Sequence, residues 1–176
     1  AVLEVSSHAL VQERVRGLRF RAAVFTNLTR DHLDFHGSFE AYFEAKKRLF
    51  VEHLHPEGFA IVNLDDEHGK ILAESLRGPR CLTFGFAPIA DYHPLELEIS
   101  LQGVEFLCST PTGPVRVRSP LVGLFNVSNL LGAIGALRAL GLTGAEAASG
   151  VSSLEGVPGR MERIDIGQPF SVIVDY

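Results

Sequence analysis

The densest collection of chemically capable side chains lies in the stretch Thr26-Asn27-Leu28-Thr29-Arg30-Asp31-His32-Leu33-Asp34-Phe35-His36-Gly37. Asp31, His32, Asp34 and His36 fall within six residues. Such a set can bind a metal or move protons, and the same residue types are also ordinary in loops and helix caps. Donor type alone, imidazole with carboxylate, points to zinc, manganese or iron before magnesium, which prefers oxygen and water. The apolar run Ala22 to Thr26 reads as a strand. The cluster therefore follows the carboxyl end of a strand, where open α/β sheets place their ligands.

Lys46 is the second candidate. Phe39, Phe43 and Phe50 recur at helical spacing, with Tyr42 and Leu49 beside them. At 100° per residue Lys46 falls in the middle of that apolar stripe, Lys47 toward its edge and Arg48 nearly opposite. A lysine there either runs its ammonium out to the surface or is a desolvated amine with a lowered pKa. A neutral amine of the second kind is nucleophilic and can take up carbon dioxide as an anionic carbamate. Glu4 is the third candidate, because a carboxylate near the end of the otherwise apolar run Val2 to Val5 costs free energy unless it is paired or binds a cation. Ser6, Ser7 and His8 follow it, and Gln12 and Arg14 are expected on the next helix. Farther along, Asn126 and Asn129 open a helix rich in small residues, and Gly159-Arg160-Met161-Glu162 forms a turn. Asn126 reads equally as a cap and Arg160 as a surface ion-pair member. The sequence contains no GxxxxGK motif followed by Ser or Thr, so it offers no phosphate loop of its own.

These residues need a framework. Short β-rich runs, Val2 to Val5, Ala22 to Thr26, Phe59 to Asn63 and Cys81 to Phe84, alternate with helical patterns over Ser38 to Val51 and Asp66 to Leu76. Near-continuous apolar strands separated by helices predict an α/β fold with a mostly parallel sheet flanked by helices. From Pro94 to Ser119 the pattern becomes alternating, with segments Leu95 to Leu101, Val104 to Ser109 and Val115 to Arg118 separated by Gln102-Gly103 and a Thr/Pro/Gly cluster. This predicts a small antiparallel β meander. A helix is expected from Asn126 to Leu140, stopped by Gly141, and Thr143 with Glu146 reads as the capping box of another.

The composition narrows the class. A chain of 176 residues, 46% hydrophobic and 21% charged, suffices for one packed domain. A net charge of -5 argues against nucleic acid or an anionic membrane as a general partner. Cys81 and Cys108 lack CxxC spacing and sit in apolar surroundings, so both read as reduced core thiols of a cytoplasmic protein. No apolar run approaches the roughly 20 residues that a membrane-spanning helix needs. The sequence starts without Met in an apolar run and stops just after another, Phe170 to Val174, and it is expected to be cut from something longer.

Taken in order, the stretches EVSSHALVQERV from Glu4, FTNLTRDHLDFHG from Phe25, YFEAKKRLF from Tyr42, VNLDDE from Val62, LVGLFNVSNLLGAIGAL from Leu121, GRMERID from Gly159 and the terminal VDY resemble the MurE branch of the Mur ligases. They span almost the whole chain, and the meander adds only its position. The resemblance implies the Mur ligase central, ATP-binding domain over residues 1–168, P-loop-NTPase-like in fold, with residues 169–176 starting the following ligase domain. It also implies a phosphate loop upstream of Ala1. By the same resemblance an acyl phosphate is made from ATP and the carboxylate of UDP-MurNAc-L-Ala-D-Glu, then captured by the amine of meso-diaminopimelate or L-lysine. Glu4 and His32 would be ligands of Mg2+, against the donor-type preference for a softer metal, and Lys46 would carry a carbamate beside it. Ser6, Gln12 and Arg14 would hold the UDP-MurNAc-dipeptide, and Asn129, Arg160 and Asp175 would lie near ATP. The full-length protein would be a cytoplasmic monomer. Three other readings are another ligase of the superfamily, of the cyanophycin-synthetase or folylpolyglutamate-synthetase type, a metal-dependent hydrolase built on Asp31 to His36, and a noncatalytic nucleotide-binding module.

Overall fold

The computed structural model describes residues 1–29, 33–76 and 80–176. Its centre is a parallel sheet of β1 (Phe20–Phe25), β2 (Leu54–Asn63) and β3 (Cys81–Phe84), in that spatial order. Before it comes the short helix α1 (Ser7–Val11). Between β1 and β2 run α2 (Leu33–His36) and α3 (Phe39–Val51), and α4 (Glu67–Ser75) crosses from β2 to β3. Parallel neighbours require such crossovers, since a tight turn cannot return a strand in the same direction.

The period-two alternation of the strands divides their side chains between two cores. Ala23 and Phe25 of β1 with Ala60 and Val62 of β2 pack against Tyr42, Phe43 and Phe50 of α3 and Leu72 of α4. Val24 of β1 and Ile61 of β2 point the other way, to Leu131 and Ile134 of α5 (Leu124–Ala139). The small-residue composition of α5 explains how it lies so near the sheet. A Cβ at Gly135 would stand 3.0 Å from Ile61 Cγ2, and one at Gly132 3.1 Å from Phe84 Cζ. The second core continues into an antiparallel meander, β4 (His93–Ser100), β5 (Gly103–Ser109) and β6 (Val115–Ser119), through the fully buried Phe106, Cys108 and Val117. Helix α6 (Gly144–Ser152) closes this side, opened by the expected capping box between Thr143 and Glu146. The chain ends in an antiparallel pair, β7 (Glu162–Ile164) and β8 (Val172–Val174).

The α/β class, the parallel sheet with helices on both faces and the meander agree with the sequence reading. Three local expectations are corrected. Val2 to Val5 form no strand: this stretch has no ladder partner among the described residues, and Val2 is 99% exposed. β propensity describes fit to a paired, half-buried surface and does not hold an unpaired strand. Glu4 accordingly lies exposed in a segment without regular secondary structure and not at a strand end. Neither Gln12 nor Arg14 lies within a helix. Glu13 adopts a positive φ of 54°, so α1 stops after five residues, with Gln12 as its C-cap and Arg14 in the following turn.

Candidate functional site

The candidate site is built where the strands β1 and β2 end. Asn63, the last residue of β2, is buried, and its Nδ2 donates to the Thr26 carbonyl at 2.7 Å while its Oδ1 accepts the Asp65 amide at 2.9 Å. Asp66 bridges in the same place. Oδ1 accepts the Gly69 amide at 3.0 Å as the N-cap of α4, and Oδ2 accepts the Leu28 amide at 2.9 Å. The α4 turn sits so close that a Cβ at Gly69 would meet the Asn63 carbonyl oxygen at 1.9 Å, a distance only glycine tolerates. Asp65 accepts the Phe86 amide, at 3.1 Å and 3.0 Å to its two oxygens, which ties in the loop after β3. Three loops at one end of the sheet are thus held by Asn63, Asp65 and Asp66, at and just after the end of β2. Asn63, Asp65 and Asp66 entered the sequence reading only within the VNLDDE stretch and, for Asp66, as the start of a helix; none was given a role at the site, although an Asp three residues before Gly69 carried the N-cap signal.

Lys46 reaches this end of the sheet from α3. Its Nζ donates to the Asn27 carbonyl at 2.8 Å and stands 5.0 Å from the centre of the Tyr42 ring and 5.8 Å from that of Phe25. The stem is half-buried, and the amine lies beside the loop that leaves β1. Arg48, expected to face away from the apolar stripe, instead bridges elements: its Nη1 donates to the Leu10 carbonyl of α1 at 3.1 Å, and its Nε donates to Glu52 at 3.0 Å. That guanidinium holds the Glu52 carboxyl below the usual carboxylate range.

The segment around α1 is secured from below. Ser6 is the N-cap of α1, its Oγ accepting the Ala9 amide at 3.2 Å. Ser7 is 1% exposed and shares a 2.9 Å hydrogen bond with His36 Nε2. The His36 ring stacks on Tyr42 with centroids 5.0 Å apart and planes 16° from parallel, and His8 lies 4.0 Å from the Phe35 ring. Asp31 and His32 lie outside the described residues. Among the described residues no group of three or more His, Cys, Asp or Glu side chains is gathered to hold a metal.

A second group assembles at the chain's other end. β7 pairs with β8 in the register Glu162 to Val174, which brings the Gly159–Arg160–Met161 turn against Asp175 and Tyr176. Asp175 Oδ1 accepts the Met161 amide at 3.2 Å, and Arg160 donates to the Tyr176 carbonyl with its guanidinium 5.6 Å from that ring. Arg160 also lines a cleft of about 490 Å³ shared with Gln102 of the meander, Leu121 and Glu162. Asn129 is exposed on α5 and donates to Asn126 Oδ1 at 3.4 Å; buried Asn126 in turn donates to the Val122 carbonyl at 2.9 Å. Asn126 is therefore no N-cap, a place taken by Gly123.

Residues 1–137 match the family model described as the Mur ligase middle domain. The chain belongs to the Mur ligase family. Over 178 residues it is 50% identical to the UDP-N-acetylmuramoyl-L-alanyl-D-glutamate--2,6-diaminopimelate ligase of Synechococcus elongatus, covering 100% of this chain and 35% of that protein. Over 177 residues it is 42% identical to the UDP-N-acetylmuramoyl-L-alanyl-D-glutamate--L-lysine ligase of Staphylococcus haemolyticus, covering 99% of this chain and 36% of the relative. A solved structure of a 2,6-diaminopimelate ligase of this name superposes with a TM-score of 0.82 at 41% identity, covering 93% of this chain and 34% of that one. The chain thus spans about a third of the length of the curated relatives it matches.

Within this Mur ligase domain the two groups offer different chemistry. The strand-end group presents an amine fixed by a carbonyl and aromatic faces, bordered by backbone that aspartates hold in place. The β7–β8 group presents the Arg160 guanidinium to a cleft, a donor suited to an anion, with the Asp175 carboxylate held on the neighbouring Met161 amide.

Proposed function

We propose that the protein containing this chain is an ADP-forming ligase that joins a diamino acid to UDP-MurNAc-L-Ala-D-Glu in peptidoglycan synthesis, using ATP and Mg2+. The observation that carries this reading is the identity of 42–50% along the whole chain to relatives named for that ligation. In the reaction an oxygen of the substrate carboxylate attacks the γ-phosphorus of ATP and ADP departs. The amine nitrogen of the diamino acid then attacks the acyl carbon, releasing inorganic phosphate and a proton.

Lys46 is the residue on which magnesium's fit turns. A carbamate there, formed as the amine nitrogen bonds carbon dioxide and loses a proton, would replace the amine that now donates to the Asn27 carbonyl with an anionic group carrying oxygen donors. Glu4, His32 and the Lys46 carbamate would hold the cation, which when bound offsets charge on the transferring phosphoryl group. Ser6, Gln12 and Arg14 would bind the UDP-MurNAc-dipeptide, and Asn129, Arg160 and Asp175 the nucleotide. Support for the nucleotide assignment is the β7–β8 pairing, which brings Asp175 against the turn that carries Arg160, and Arg160 lines a cleft. Residues 169–176 would open the next domain, and the full-length enzyme would act as a monomer in the cytoplasm. Among the described residues no helix is long and apolar enough to cross a membrane.

The test is ligation by the full-length protein with diaminopimelate and L-lysine offered separately, in the parent and in Lys46→Ala. The variant should lose ligation and regain part of it when formate or acetate is added to occupy the vacated carboxylate position. Full activity in Lys46→Ala would remove the carbamate. Absence of ligation by the parent with either amino acid would remove the reading itself.

A further inference from the structure

Two tethers join α1, which lies among the residues proposed to bind the UDP-linked substrate, to α3, which carries Lys46. One is the donation from Arg48 to the Leu10 carbonyl. The other is a column of side chains. Ser7 Oγ, inaccessible to solvent, bonds His36 Nε2 at 2.9 Å; the His36 ring stacks on the buried Tyr42; and the Lys46 amine stands 5.0 Å from the Tyr42 centroid. The Phe35 ring meets His36 edge-on with centroids 4.8 Å apart and meets His8 of α1 on its other contact at 4.0 Å. Each side chain is therefore bounded by ring contacts or by a part-buried hydrogen bond, a combination that restricts rotamers.

We infer that Ser7 and His36 form a positioning pair, setting the α1 segment against Tyr42 and thereby fixing the distance between the substrate-binding residues Ser6, Gln12 and Arg14 and the Lys46 amine. Ser7 is too buried to act as a nucleophile, so its hydroxyl serves geometry alone. The hydrogen bond is the specific part of the column. A phenylalanine at position 36 could still stack on Tyr42, whereas only a donor or acceptor there can engage the hydroxyl. The inference deepens the ligase reading and rests on it for the identity of the substrate.

The experiment is a double-mutant cycle in the full-length protein with Ser7→Ala, His36→Phe and both together, plus His36→Gln, whose side-chain amide can replace the Nε2 contact. Two readouts are taken: the KM for UDP-MurNAc-L-Ala-D-Glu against kcat, and the hydrogen-exchange rates of the α1 amides. Each single substitution should raise KM about tenfold, the scale of one lost hydrogen bond, with a smaller change in kcat. α1 exchange should accelerate in each. The double variant should match the worse single, and His36→Gln should recover most of the loss. Should His36→Phe fold poorly, Ser7→Ala deletes only a hydroxyl and decides alone through its KM and exchange. Multiplicative effects in the double variant, or unchanged α1 exchange and KM in Ser7→Ala, would overturn the pair. If the parent does not ligate, the ligase reading fails, while coupled or independent α1 exchange still decides whether Ser7 and His36 act together.

Discussion

At the scale of single residues, the side chains that shape the strand ends are mostly not those a chemist would pick for reactivity. Asp66 spends one oxygen on the α4 cap and the other on the Leu28 amide, so it fixes the loop that Asn27 shares with Lys46. An alanine there loses the cap, worth about 1 kcal/mol, and leaves the Leu28 amide without its acceptor, roughly another 1 kcal/mol. Asp66→Ala should therefore lower stability by about 2 kcal/mol in urea unfolding, with an unchanged m-value. Asp66→Asn, which keeps one acceptor oxygen, should lose about half as much. Equal losses from the two variants would mean that only one of the bonds contributes.

At the scale of elements, the capping box of α6 carries a pH signature. The Glu146 carboxylate accepts the Thr143 backbone amide at 2.7 Å and the Thr143 hydroxyl at 2.7 Å, and these bonds, the backbone one first, hold its carboxyl below the usual 4.5. A folded pKa below the unfolded one gives stability that is present above pH 4.5 and lost as pH falls through the folded value. The melting temperature of Glu146→Ala should thus lie below that of the parent at neutral pH, and the gap should narrow in acid. A gap of constant size across that range would exclude ionisation of Glu146 as its source. Thr143→Ala removes the hydroxyl acceptor for the Glu146 amide and should cost about 1 kcal/mol.

At the scale of the whole molecule, the parallel sheet and the meander share one core through α5, so opening one should open the other. Cys108 reports on this. It is fully buried on β5, and burial pushes its thiol up to about 12, whereas Cys81 at the start of β3 is half-buried with its thiol raised by burial and by Asp91. In the native protein a neutral thiol reagent should modify Cys81 slowly and Cys108 only at the rate of global unfolding. Rapid native-state labelling of Cys108 would show that the meander opens independently of the sheet.

Much of this architecture was legible in the sequence because its signals are local and periodic. The Phe39, Phe43 and Phe50 spacing marked the buried face of α3, the alternation after Pro94 marked the meander, and Thr143 with Glu146 marked a helix start. The run of motifs from EVSSHALVQERV to VDY likewise carried the family. The chain by itself did not determine whether Val2 to Val5 would be a strand, because that depends on a ladder supplied from elsewhere. Nor could it show that Glu13 would break α1, that Arg48 would reach back to Leu10, or that Ser7 and His36, 29 residues apart, would share a hydrogen bond. Those outcomes follow from which surfaces meet when α3 docks on the sheet. Spacing along a chain fixes which side chains share a face, and only packing fixes which faces meet, and so which amine stands beside which carbonyl.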